Sequence, residues 1–283
     1  MEANLLGLLR LPDVPVVVFE RPPLVLSICQ LRFTPVLGVA NIAYVAPFQR
    51  AIQKLYPIAS PVQELGFEMQ LAPGQPAIPP RTSQASSWQF KSADDTWTLV
   101  LATDFLALET RAYRSFDDFS QRFRDAVAAL VEHIQPTFGT RLGLRYVNEI
   151  RLESGSCRDV ISTDLLGPLS VPELSEHTVQ AIQQLQLRFG SRQGMNVRHG
   201  KFPGGTTVLP LAGQDPDDRP FYLLDIDTFY EVSNAQLATE GIPIDSDLLS
   251  RQLDGYNKAI YRLFRWAVTQ QYVDTLGVRE VGK

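Results

Sequence analysis

Residues 141–152, RLGLRYVNEIRL, alternate almost strictly between apolar and polar side chains. A strand here sends Arg141, Arg145 and Glu149 to one face and Leu142, Leu144, Tyr146 and Ile150 to the other. Arg32 lies in a second β-compatible stretch that can pair nearby. Guanidinium forks grip phosphate or carboxylate through two parallel hydrogen bonds. Arg32, Arg141, Arg145 and Glu149 are therefore a candidate site for a small anionic or nucleotide ligand. The competing reading is a solvated sheet face carrying cross-strand ion pairs. Neighbouring guanidiniums need a counter-charge in either case, and Glu149 alone cannot neutralise two. If an anion supplies it, Arg145→Ala abolishes ligand binding at the small stability cost of an exposed position. Tyr146 and Asn148 read as polar anchors of the core.

Asp225 and Asp227 stand two apart in FYLLDIDTF, with Asp104 and Glu109 at a comparable corner earlier in the chain. Carboxylates at that spacing are weak candidates to hold Mg²⁺ or to act as an acid/base pair. No His or third carboxylate is spaced to complete a site, so turn capping and Arg pairing is the favoured role, and no metal or cofactor is expected. His133, His177 and His199 sit singly, with no Gly-x-Ser-x-Gly elbow beside them. In Gly200–Thr207 (GKFPGGTT) the Lys precedes the glycine pair and Pro203 removes a donor, which predicts a hairpin turn rather than a phosphate loop.

These side chains need elements to hold them. Residues 24–33 (LVLSICQLRF) predict a strand, and 47–56 a short helix with Pro47 in its first turn and Phe48, Ile52 and Leu55 on one face. Residues 57–87 hold six prolines and predict a long loop around a short strand at 67–71. The Asp-rich turn 93–96 joins two strands. Ser115 then caps a helix whose Phe116, Phe119, Phe123, Val127, Leu130 and Ile134 form one stripe. Further strands are expected at 178–189, around 196–201, at 206–211 and at 221–232. A last helix spans 246–275 with Leu249, Leu253, Tyr256, Ile260, Leu263, Phe264, Ala267 and Val268 inward.

QLRF occurs at 30–33 and again at 186–189, each followed by an apolar strand, an acidic corner and a long helix. The expectation is an α+β fold: a mostly antiparallel sheet built from two similar halves with two long helices packed on it. An extended arm (1–23) precedes a first half (24–152) and a second half (153–283), packed as one unit. Of 283 residues, 45% are hydrophobic and 20% charged, enough for a sizeable core, and the net charge of −5 argues against a broad nucleic-acid surface. Cys29 and Cys157 are too few and too far apart for a disulfide framework or a metal site. The first residues match neither a signal peptide nor a membrane span, so a cytoplasmic protein is expected.

Three blocks resemble a known family: PPLVLSICQLRF (22–33), DFLALETRAY (104–113, with WQF at 88–90) and RLGLRYVNEI (141–150, with LDID at 224–227). Together they are similar to sporadically distributed bacterial proteins of unknown function. The resemblance implies no activity, cofactor or catalytic residue, and a patchy distribution suits mobile or defence-associated loci. The favoured expectation is a non-enzymatic binding or adaptor protein acting through a protein partner or homo-oligomer, defence or toxin–antitoxin associated. The alternative is a sensor or enzyme for a small anionic or nucleotide ligand held by the Arg cluster between the halves. Limited proteolysis should cut first within 57–87, where proline and small polar residues leave few backbone partners. First cleavage inside 97–150 would contradict that assignment.

Overall fold

Nine strands pair antiparallel into one sheet. The computed structural model describes residues 11, 14, 15, 17–63, 86–209 and 217–279. Its strands are β1 (Val18–Phe19), β2 (Leu24–Phe33), β3 (Ile58–Gln63), β4 (Ser86–Lys91), β5 (Trp97–Leu101), β6 (Phe105–Thr110), β7 (Gly139–Arg151), β8 (Gln183–Phe189), β9 (Gln193–Phe202), β10 (Phe221–Glu231) and β11 (Val278–Arg279). The main sheet runs β3-β4-β5-β6-β2-β7-β10-β9-β8, and β1 pairs separately with β11. The longer helices are α1 (Ile42–Ile52), α2 (Phe116–His133) and α3 (Ser246–Ala267), and a short α4 (Gln270–Thr275) follows α3.

All the longer helices pack on one face of the sheet, as their single apolar stripes require. Phe48 of α1 meets Phe90 of β4, Phe119 of α2 meets Trp97 of β5, and Asn257 of α3 meets Tyr146 of β7. Ser115 caps α2 by accepting from the Asp118 amide, and Asp245 caps α3 by accepting from the Leu248 amide. The main core lies between this layer and the sheet. A smaller apolar cluster of Leu26, Val147, Phe202, Phe221 and Leu223 sits on the opposite face, under Val208 and Leu209.

The strand order is a palindrome about the β2–β7 seam. Beside β2 lies the meander β6-β5-β4, and beside β7 lies β10-β9-β8. Each meander is followed in the chain by a long helix, α2 or α3. In this order β2 and β7 stand side by side at the centre of the sheet. The second QLRF lies on the edge strand β8, whereas the first lies in central β2.

Other expectations shift for local reasons. Helix α1 starts at Ile42, because Asn41 accepts from the Ala43 amide, and Pro47 falls inside it. The lost hydrogen bond there is offset by burial of Val45, Phe48 and Ile52, while Leu55 is exposed. Residues 58–63 form a strand, and the strand expected at 67–71 lies outside the described residues. The last helix breaks at Val268, which bridges to Ile161, and Thr269 caps α4. Apolar spacing resumes across the break at Val273 and Leu276, so periodicity alone reads it as one helix. The strand expected from 178 begins at Gln183, and Thr206–Leu209 form no strand.

His199, 1% exposed, holds its Nδ1 2.7 Å from the Tyr222 hydroxyl. Burial pushes its pKa from 6.5 down to about 4. Below the free value the unfolded chain takes up a proton that the folded chain refuses. Stability is then complete above about pH 6.5 and falls towards pH 4, by up to about 3 kcal/mol. His199→Gln should flatten that part of the stability–pH curve in thermal unfolding, and an unchanged curve would refute the assignment.

Candidate functional site

Strand β7 carries candidate groups on both faces. On the open face, in register, Arg145 lies between Ile28 and Asp227, and Arg141 between Arg32 and Glu231. Arg145 donates to Asp225 through Nε (2.7 Å) and Nη2 (2.8 Å). Arg198 of β9 binds the same carboxylate from the other side, with Nη2 at 2.9 Å. Arg141 reaches Asp227 at 2.8 Å. Asp225 is 2% exposed, and burial holds the Asp227 carboxyl above its ordinary value against the pull of Arg141 and Arg145.

Two glycines let these groups lie flat. A Cβ on Gly143 would meet the Arg141 guanidinium at 2.7 Å, and one on Gly194 would meet the Phe229 ring at 2.6 Å. The Arg141 guanidinium therefore lies over Phe229, its carbon 4.8 Å from the ring centre, with that of Arg188 at 5.2 Å. Arg145, Gln184, Asn196, Arg198, Asp225 and Asp227 line a small cleft of about 130 Å³.

The counter-charge that the arginines need is thus supplied by the protein. Asp225 and Asp227, candidates for metal, are instead the partners of Arg145, Arg198 and Arg141. Among the described residues no group of three or more His, Cys, Asp or Glu could hold a metal ion. Glu149 accepts from Thr207 Oγ1 (2.6 Å), the Val208 amide (2.8 Å) and Arg151 Nη2 (2.5 Å), which anchors the segment after β9 across the open face. Arg32 is exposed and stands opposite Arg141 and Phe105. The four residues of the expected anion site share a face but do not converge.

The helix face of the same strands holds a larger space. A cavity of about 600 Å³ lies among the arm (17–19, 22–23), Leu24, the segment 113–117 entering α2, Tyr146 and Asn148 of β7, and α3 from Asp254 to Phe264. Side chains at 254, 257, 258, 261 and 264 fall at helical spacing and present one stripe to it. Its walls are aromatic: Tyr113 meets Tyr146 edge-on at 5.5 Å, and Phe19 stacks on Tyr261 at 6.2 Å. The Tyr146 hydroxyl lies 2.9 Å from Asn257 Oδ1 and 3.2 Å from the Tyr113 hydroxyl. Asn148 donates from Nδ2 to the Leu224 carbonyl at 3.0 Å. Burial pushes the Tyr113 phenol up to about 12 and Tyr146 well above its ordinary value, so both stay protonated.

Tyr146 and Asn148 are the polar anchors expected from the alternation of β7. Asn257, Tyr113 and the cavity itself were not foreseen. The available signal was Asn257, a polar residue four positions after Leu253 in the apolar stripe of α3.

No protein-family model matches the chain, and no curated protein does. Among solved structures, the di-domain ARO/CYC StfQ from the steffimycin biosynthetic pathway is similar at 11% identity over 85% of this chain and 97% of that one. The TM-score is 0.18, too low to bear on fold or function. No described helix is long and apolar enough to cross a membrane.

Arg145→Ala leaves the buried Asp225 carboxylate with Arg198 alone. It should lower unfolding free energy in urea by about 2–3 kcal/mol, as for one broken arm of a buried ion pair. A loss below about 1 kcal/mol would return Arg145 to the role of an exposed residue free to take an anion.

Proposed function

We propose that this chain is a small-molecule-binding protein whose ligand occupies the cavity between the arm, the start of α2, α3 and β7. One observation carries the reading: a space of about 600 Å³ walled by aromatic rings, onto which three buried polar side chains, Tyr146, Asn148 and Asn257, converge. Ligand sites fall in the range of about 300–1,000 Å³ and combine this kind of apolar wall with a few placed polar groups. The lining supplies protonated phenols and amides, groups suited to recognition. The arm makes one wall, so occupancy is sensed by a segment of the chain that can pass the signal to a protein partner. That joins the binding reading with the adaptor reading, and moves the ligand from the arginine face to the opposite side of the sheet.

Nile red, an uncharged dye that fluoresces in apolar surroundings, tests this directly. The protein should bind it with a blue shift. Leu24→Trp, which puts an indole into the space, should weaken binding at least tenfold while the variant still unfolds cooperatively. Unchanged dye affinity in the folded variant would end the proposal.

A further inference from the structure

The geometry points to an uncharged, planar heterocycle with a lactam edge, a ring carbonyl beside a ring N–H, as the class of ligand this cavity takes. The inference rests on the reading that the cavity holds a small molecule, and it follows from what the two buried amides have left over.

Asn257 and Asn148 are 7% and 5% exposed, and both line the cavity. Their amide orientations are set by partners they already have. Asn257 accepts through Oδ1 from the Tyr146 hydroxyl, which leaves Nδ2 as its remaining group. Asn148 donates through Nδ2 to the Leu224 carbonyl, which leaves Oδ1. Neither remaining group has a hydrogen-bond partner among the described residues. The cavity therefore offers one donor and one acceptor on side chains more than nine-tenths buried, and a ligand that displaces water from the space must pair both, since either left unpaired is costly. A lactam edge answers both: its carbonyl accepts from Asn257 and its N–H donates to Asn148.

The walls select a flat body. Tyr113, Tyr146, Phe19 and Tyr261 present ring faces and edges to the space, and such surfaces hold planar π systems better than flexible chains. The charges select a neutral one. Arg114 and Lys258 stand against Asp117 and Asp254 around the cavity, and Lys258 is paired with Asp254 at 2.5 Å. Two charges of each sign leave no net field to favour an ion.

Uridine, inosine and lumichrome, neutral lactam rings of increasing size, are titrated into the full chain by calorimetry beside their N-methylated counterparts. Methylation keeps the ring and removes only the donor. At least one parent ring should bind, with its methylated form at least tenfold weaker. Asn257→Asp, which replaces the donor by an acceptor, should weaken the same ring at least tenfold in a variant that still unfolds cooperatively. Equal affinity for parent and methylated rings overturns the inference without any variant. So does failure of every parent ring while Nile red binds and Leu24→Trp expels it, and in that case the cavity reading stands. Dye binding indifferent to Leu24→Trp overturns both.

Discussion

Strand β7 is paired along both edges, to β2 on one side and β10 on the other, through most of its thirteen residues. That double ladder fixes the register of everything near it. With backbone groups satisfied internally, side chains alternate between faces with no freedom to slip, because a shift of one residue would drive Arg141, Arg145 and Glu149 into the helix layer. The cavity inherits its placement from the same constraint. Tyr146 and Asn148 can reach it because Leu142 and Leu144, four and two residues before Tyr146, are locked into the core.

The open face is arranged by compensation of charge. Three guanidiniums, of Arg141, Arg145 and Arg198, share two carboxylates, of Asp225 and Asp227. Such a cluster orders side chains across β7, β10 and β9, and a partly buried ion pair resists rearrangement because breaking one contact strands the other charge. Glu149 works differently. It spends its oxygens on the segment at 207–208 and on Arg151, and so closes the small apolar cluster beneath Val208 and Leu209.

Much of the architecture could be read from residue order. The α+β class, the antiparallel sheet, the capped helix after Ser115 and the two-faced pattern of β7 all follow from local periodicity, which the final structure preserves. Which strands pair was not legible. The QLRF identity suggested that β2 and β8 correspond, yet four common residues carry no information about which strand lies at a sheet centre. In the sheet β2 pairs with β7 at the centre, and β8 lies on the edge. Arg145 leaves the apolar face as its alternation requires, but whether an anion or a carboxylate met it depended on Asp225, eighty residues away on the neighbouring strand β10. The cavity was illegible for a related reason: it is a volume left between an arm, two helices and a strand, and no single segment encodes a space. Only Asn257, polar within an apolar stripe, hinted at it.

One wall of that space comes from the arm, and the arm is held by the far end of the chain. The amides of Glu20 and Arg21 donate to the carbonyls of Gly277 and Leu276, and β1 pairs with β11. These contacts close a loop that spans nearly the entire described chain, the longest sequence separation in the fold, and closure of that kind is paid in entropy and comes late. During synthesis the sheet can assemble from its meanders while the arm is still without its dock. A chain halted before residue 276 would carry β7 and most of α3's stripe yet lack the arm's tether. Docking of residues 276–279 against the arm and closure of that wall of the cavity are thus one event.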